Sequence, residues 1–313
     1  MRYVNLGHSG LKVSRVSIGA WLTYGDSVGA EAAKPILRHA LESGINMIDT
    51  ADIYARGEAE RVIAPVLKEI PRHHLVLATK CFWPMSNDPN DRGLSRKHII
   101  ESVEGSLKRL QQDYVDIMYC HRFDENTPLE ETVRAMGDVI RQGKVLYWGT
   151  SCWTADQLSD VHQIASDLGV PRPIVEQPCY NLLERSIEAT ILPKAQSLGM
   201  GVAPWSPLAG GILTGKYNDG RPAGSRGADS KWLDGSLVPE NIERVRKFCL
   251  IAQEAGIAPE ALALAWLLHQ KGIDTVITGA TRIEHVDKNL VAAELELEPA
   301  LVQQVDAVFD PEV

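Results

Sequence analysis

No apolar run in this chain approaches the roughly 20 residues that a membrane-spanning helix needs. The first residues also lack a basic stretch followed by an apolar one, so no secretory signal is expected. Cysteine is scarce. Five residues, an odd number with no CxxC pair, exclude a disulfide framework and a zinc framework. Basic residues are the minority, 32 against 41 acidic, and the net charge of −9 argues against general polyanion or nucleic-acid binding. A local basic pocket stays open. Nowhere does a GxGxxG follow an apolar run, so the main signal of an open dinucleotide-binding sheet is missing. No low-complexity segment or linker interrupts the chain. These absences leave a soluble, cytoplasmic globular protein, 44% hydrophobic, expected to fold as one domain over residues 1–313.

What is present is a rhythm. Residues 3–6 and 11–13, separated by Gly7-His8-Ser9-Gly10, read as a β-hairpin. Short apolar runs then recur at 16–20, 46–49, 75–79, 115–120, 145–149, 174–177, 201–205 and 275–278, with helix-like segments between them. Near-continuous apolar strands alternating with helices predict a parallel sheet covered by helices. Several helix starts are marked. Ser95 is placed to cap a helix burying Ile99, Val103, Leu107 and Leu110, and Thr154-Ala155-Asp156-Gln157 reads as a capping box. Thr127-Pro128-Leu129-Glu130 and Thr281-Arg282-Ile283-Glu284 read as two more. Pro65, inside the helical pattern of 58–70, predicts a kink or restart. Eight strand–helix units favour a (β/α)8 TIM barrel with an N-terminal β-hairpin. The stretch from Pro207 to Pro239 is too long for an idle barrel loop and predicts a flap after strand seven.

In such a barrel the chemistry sits where strands end. The second run ends at Asp49, with Tyr54 five residues on, the third at Lys80 and the fourth at His121. The fifth ends at Ser151, the sixth at Gln177, the seventh at Trp205, and the eighth at Gly279-Ala280-Thr281. A phenol is a poor acid at neutral pH, with an ordinary pKa near ~10. An adjacent ammonium is expected to lower it, a carboxylate to hold that ammonium, and a histidine to orient a carbonyl oxygen. This is equipment for reducing C=O once a hydride donor is supplied.

At this point the chain resembles the aldo-keto reductases, in particular the branch that contains the β subunits of voltage-gated potassium channels. The resemblance runs over nearly the whole sequence. It rests on Leu6-Gly7-His8-Ser9-Gly10-Leu11, Asp49-Thr50-Ala51-Asp52-Ile53-Tyr54, Gly93-Leu94-Ser95-Arg96-Lys97-His98-Ile99-Ile100, Tyr147-Trp148-Gly149-Thr150-Ser151 and Trp205-Ser206-Pro207-Leu208. It implies an enzyme that reduces aldehydes or ketones with NADPH. Tyr54 would be the general acid, Lys80 and Asp49 would tune it, and His121 would position the substrate. It also implies cofactor contacts from Trp21, Ser206, Leu208, Gly279, His285 and Asn289, with Ser151 and Gln177 on the nicotinamide carboxamide. Trp205 would stack on the ring, Lys216 would meet the pyrophosphate, Arg226 the adenosine 2′-phosphate, and Thr281 the same end of the cofactor. Gly210-Gly211-Ile212-Leu213-Thr214-Gly215-Lys216 imitates a phosphate loop, but Tyr217 replaces the Ser/Thr that would bind magnesium. Channel β subunits in the branch carry asparagine where His121 stands, which tilts the reading toward catalysis.

Three further expectations follow. Trp21, Tyr24, Trp83 and Trp153 fall on loops after strands and either wall an aromatic substrate pocket or pack loop against barrel. Cys81 and Cys120 adjoin Lys80 and His121 and read first as small apolar filling with inert thiols, the other reading being that oxidation of either reduces activity by displacing its neighbour. Two functions of other classes stand beside the reductase. One is an NADPH-binding redox-sensing subunit of a membrane channel, against which His121 and the short N-terminal arm weigh. The other is a metal-dependent hydrolase, for which only His121 with Asp49 or Asp52 offers ligands, so no metal is expected. A homo-oligomer stays open.

Overall fold

The computed structural model describes residues 1–310. A two-stranded antiparallel hairpin, β1 (Tyr3–Asn5) and β2 (Lys12–Ser14), precedes eight parallel strands. These are β3 (Val16–Gly19), β4 (Met47–Asp49), β5 (Val76–Cys81) and β6 (Val115–Cys120), then β7 (Val145–Thr150), β8 (Val175–Glu176), β9 (Gly201–Val202) and β10 (Val276–Thr278). They pair in the order β10-β3-β4-β5-β6-β7-β8-β9. The two ends of that order meet. Asp274 and Ile277 donate their N–H groups to the carbonyls of Val202 and Pro204 at 3.0 Å each, which closes the sheet into a (β/α)8 barrel. All eight strands coincide with the apolar runs read from the sequence. No single helix is long and apolar enough to cross a membrane among the described residues.

Strand periodicity sorts the core into two layers. Met47, Val76, Ala78, Ile117, Tyr119, Val175, Ala203 and Ile277 point into the barrel, joined by Leu6 and Val13 of the hairpin, which plugs its lower end. The alternate residues, Ile48, Leu77, Met118, Cys120 and Trp148 among them, pack outward against the helices. The hairpin is pinned in place: Gly7 donates its N–H to Asp274 Oδ2 at 2.7 Å, and His8 donates to the Gly199 carbonyl at 2.9 Å.

Helix boundaries follow local chemistry, with three departures. Ser95 Oγ accepts the His98 N–H at 3.2 Å and starts Arg96–Leu110, and Thr154 with Gln157 forms the reciprocal capping box of Ala155–Asp167. Gly44, with φ +93°, ends Ala30–Glu42 in the left-handed conformation glycine favours. Thr127 caps nothing, because its hydroxyl donates to Asp124 Oδ2 at 2.7 Å and Pro128 itself occupies the N-cap of Leu129–Arg141. Thr281 lies outside Ile283–Val291, whose N-cap is Arg282 without a side-chain bond. Glu58–Leu67 continues through Pro65 and ends two residues beyond it, so the expected kink becomes a stop.

The barrel interior is filled tightly at Gly149. A Cβ there would lie 2.6 Å from the Val175 carbonyl oxygen and 2.9 Å from Tyr119. We expect Gly149→Ala to destabilise the fold by about 1–3 kcal/mol through overpacking, read as a lowered urea midpoint. An unchanged midpoint would show that the strands have room to move apart.

Candidate active site

The inward parity of each strand continues into the loop that follows it. Asp49 comes two residues after Met47, Lys80 after Ala78, His121 after Tyr119, Gln177 after Val175, Trp205 after Ala203 and Gly279 after Ile277. Ser151 sits two beyond Gly149 on the same count. The period of two thus delivers all seven to one mouth, at the C-terminal ends of the strands.

At its centre Lys80 Nζ donates to Asp49 Oδ2 at 2.5 Å and to the Thr50 carbonyl at 2.8 Å. Both side chains are buried. Gln177 Nε2 donates to Asp49 Oδ1 at 2.8 Å, so both carboxylate oxygens are engaged. Tyr54 leans over this pair with its ring centroid 4.9 Å from Lys80 Nζ. The His121 ring meets Tyr54 edge-on at 5.8 Å, and Trp83 stands edge-on to His121 at 6.2 Å. Among the described residues no three His, Cys, Asp or Glu side chains converge as metal ligands.

The electrostatics correct one expectation. The Tyr54 phenol is pushed well above its ordinary value, first by burial and then by the Asp49 carboxylate, rather than lowered by Lys80. The reason is that the ammonium is already held by Asp49, and burial penalises the phenolate more than a neutralised cation favours it. Burial also lowers the lysine, against the pull of Asp49. His121 is driven well below the ordinary histidine value by burial, by Lys80 and by Arg122, so its imidazole is neutral. Tyr54 therefore keeps its proton, and His121 does not compete with it as an acid.

The residues expected to hold a cofactor form a continuous wall. Ser151 Oγ donates to the Gln177 carbonyl at 2.8 Å. Trp205 meets Trp21 edge-on at 5.3 Å, Trp21 meets Trp232 at 4.9 Å, and the Arg226 guanidinium lies 5.8 Å from the Trp232 ring. Trp232 thus seats the flap on the barrel. Ser206 has φ +55° and its carbonyl accepts from Asn181 Nδ2 at 3.1 Å, while Leu208 is half-buried beside it. Across the mouth, Arg282 Nη2 donates to His285 Nε2 at 2.9 Å, and Thr281 Oγ1 lies 3.3 Å from the other ring nitrogen. Burial, then Arg282, Lys216 and Lys288, lower the His285 pKa, and Asn289 is buried in the same helix. Lys216, Arg226 and Arg282 make no ion pair with a carboxylate among the described residues, although 41 acidic residues are present. Unneutralised cations along one wall fit an anionic, phosphate-bearing group.

The remaining expectations divide. Of the four loop aromatics, Tyr24 and Trp153 are fully buried packing, the former bonded to the Ala280 carbonyl and the latter edge-on to Phe123 at 4.9 Å. Trp21 and Trp83 reach the mouth. Cys81 and Cys120 point outward into the helix layer, and burial raises both thiols, so neither offers a thiolate to an oxidant. Sequence reading missed Arg122. Its Nη1 donates to the His121 carbonyl at 2.5 Å and to Ser151 Oγ at 3.4 Å. Its position directly after a strand-end histidine was the available signal.

A barrel with these strand-end residues and a cation-lined wall is the build of a nicotinamide-dependent oxidoreductase. Residues 15–310 match the Aldo/keto reductase family, and the chain belongs to it. Its relatives include a probable voltage-gated potassium channel subunit beta from Oryza sativa subsp. japonica, 44% identical, with 98% of this chain and 96% of that protein covered. A protein of the same description from Arabidopsis thaliana is also 44% identical, over 99% of this chain and 97% of its own length. A putative voltage-gated potassium channel subunit beta from Schizosaccharomyces pombe is 43% identical, over 97% and 92% respectively.

Behind the centre lies a second buried carboxyl. Asp52 accepts from Ser102 Oγ at 2.8 Å, its other oxygen has no partner, and its N–H donates to the Lys80 carbonyl at 3.2 Å. It thereby ties the loop carrying Tyr54 to Arg96–Leu110 and to β5. Glu60 nearby is paired with Arg109 at 2.6 Å. Burial pushes the Asp52 pKa up to about 7 from 3.8. Between those values the folded chain holds a proton that the unfolded chain has lost, so this group's contribution to stability falls as pH rises through the window. We expect Asp52→Asn, which keeps an oxygen for Ser102, to be more stable than the parent at pH 8. The gap should narrow as pH falls to 5. Equal urea midpoints at pH 8 would contradict the buried, reluctant carboxylate.

Proposed function

We propose that the chain is an NADPH-dependent reductase that converts aldehydes or ketones to alcohols. The observation that carries this reading is the convergence of Tyr54, His121 and the buried Asp49–Lys80 pair at one strand-end mouth. When bound, the reduced nicotinamide supplies a hydride to the carbonyl carbon. Tyr54 gives its proton to the carbonyl oxygen as the π bond opens and negative charge gathers there. The high phenol pKa keeps that proton in place until the oxygen becomes basic enough to take it. Lys80, held by Asp49 with its Nζ 4.9 Å from the centre of the ring, offsets only part of the charge of the phenolate left after transfer. Gln177 and the Thr50 carbonyl fix Asp49 and Lys80, so the pair needs no rearrangement during reaction. Neutral His121 offers a ring nitrogen to orient the carbonyl oxygen beside Tyr54.

The cofactor assignment rests on the cationic wall. Trp205 and Trp21 would give a bound nicotinamide an aromatic corner, and Ser151 would serve its carboxamide. Lys216, Arg226 and the Thr281–Arg282–His285 group would hold the phosphates, and three cations favour NADPH over NADH. A second reading, an NADPH-binding subunit attached to a membrane channel, is supported by relatives named as voltage-gated potassium channel β subunits. Copurification with a channel from membranes of the source cell supports that reading, and an isolated, turning-over enzyme supports the first.

Two outcomes test the proposal. Tyr54→Phe should lower kcat/KM for carbonyl reduction by at least about 100-fold while NADPH still quenches protein fluorescence at the parent's concentration; full activity would overturn the acid assignment. Arg226→Ala should weaken NADPH by about tenfold or more and NADH by far less, whereas Lys216→Ala, at the pyrophosphate, should weaken both alike. Equal losses for the two cofactors in Arg226→Ala would place the 2′-phosphate elsewhere.

A further inference from the structure

Arg122 leaves the barrel directly after His121 and turns its guanidinium across the mouth. One nitrogen, Nη1, is used by the His121 carbonyl at 2.5 Å and by Ser151 Oγ at 3.4 Å. Nε and Nη2 have no acceptor among the described residues, yet neither is sealed from solvent. The group makes no ion pair with a carboxylate among those residues, and its carbon lies 5.7 Å from the centre of the Trp83 ring. Trp83 is 38% exposed and is itself edge-on to His121. The Arg122 charge also depresses the His121 and Lys80 pKa values, which places it within electrostatic reach of the reacting groups.

Two free N–H directions on a planar cation match the two oxygens of a carboxylate, and a flat indole beside them matches a carbon skeleton. Arg122 is held by its bond to the backbone carbonyl of His121, the very residue assigned to orient the substrate carbonyl, and by Ser151 Oγ. The distance from oriented carbonyl to bound anion is therefore set by the protein. The net charge of −9 repels anions at long range, so an anionic substrate needs such a local partner.

We propose that Arg122, with Trp83, makes this site selective for carbonyl substrates that carry a carboxylate. The proposal rests on the reductase reading, and its test separates the two. Reduction of 3- and 4-carboxybenzaldehyde is compared with that of the matching neutral formylbenzamides in the parent, Arg122→Gln and Arg122→Lys. In the parent, kcat/KM should favour the carboxylate by about tenfold or more, through KM rather than kcat, and the preference should shrink with added salt. Arg122→Gln should bring the ratio near one, while Arg122→Lys, which keeps the charge but not the fork, should fall between. Circular dichroism checks that each variant is folded. A parent that prefers the amide, or a ratio unchanged in Arg122→Gln, overturns the proposal.

If the parent reduces none of these aldehydes and no member of a panel of ketones, the reductase reading fails and the anion site is decided by binding alone. Calorimetric titration with benzoate and benzamide then gives the answer. Benzoate binding that is lost in Arg122→Gln and retained in part by Arg122→Lys sustains the site. Equal binding of the two probes, or none to the parent, removes it.

Discussion

A lysine ammonium and an aspartate carboxylate 2.5 Å apart, both shut away from water, constrain everything at the mouth of this barrel. Neither charge is tolerable alone in such surroundings, and removal of one partner from a buried pair typically costs about 3–5 kcal/mol. The pair is kept by further bonds: Gln177 on the second Asp49 oxygen and the Thr50 carbonyl on the ammonium. These bonds bring together residues from the ends of β4, β5 and β8, so the centre is also a tie across the sheet. Tyr54 and His121 acquire their geometry from it. A loop that strayed would leave a buried charge exposed to an apolar neighbour.

The second constraint is parity. A closed parallel sheet has one inner face, and a two-residue period sends Asp49, Lys80, His121, Ser151, Gln177 and Trp205 to it without any special backbone. The backbone becomes unusual only beyond the strands. Six non-glycine residues at this mouth, Leu22, Ala55, Arg56, Cys152, Ser206 and Ala209, hold φ between +47° and +58°. Such conformations are costly for side chains with a Cβ and persist only where surrounding packing imposes them. Only one further non-glycine residue among those described, Gln111 at the end of Arg96–Leu110, shares this conformation, and the gathering of the other six in the loops after β3, β4, β7 and β9 fits a site that needs fixed side-chain directions rather than freely moving connections.

Parity also explains what could be read from the sequence. The strands, the barrel and the strand-end residues were legible because apolar runs and their ends are local properties. Burial is not local, and it corrects one reading and decides two that the sequence leaves open. Lys80 was expected to acidify Tyr54, but the ammonium is already neutralised by Asp49, and the loss of water around the ring dominates. Cys81 and Cys120 adjoin Lys80 and His121 in sequence yet face the helices, since neighbours in a strand point opposite ways. Tyr24 and Trp153 lie on mouth loops but turn inward to pack. Thr127 and Thr281 match a capping pattern whose hydroxyls found nearer partners, Asp124 and His285. In each case the residue type was right for its local pattern, and a tertiary neighbour set its use.

Charge distribution carries the argument one step further. Many cations of this acidic chain sit in surface pairs, such as Arg38 with Glu69 or Arg134 with Glu130, which contribute little to stability. Arg122, Lys216, Arg226 and Arg282 lack carboxylate partners among the described residues and line one mouth. The buried acids nearby reinforce this. Burial pushes Asp52 and Glu176 up to about 7, which lessens the negative charge beside the mouth at neutral pH. The unpaired cations set up a local field at this mouth although the molecule as a whole carries a charge of −9. In a low-dielectric cleft such a field acts over several ångströms, and it favours any ligand that brings phosphate or carboxylate to the mouth.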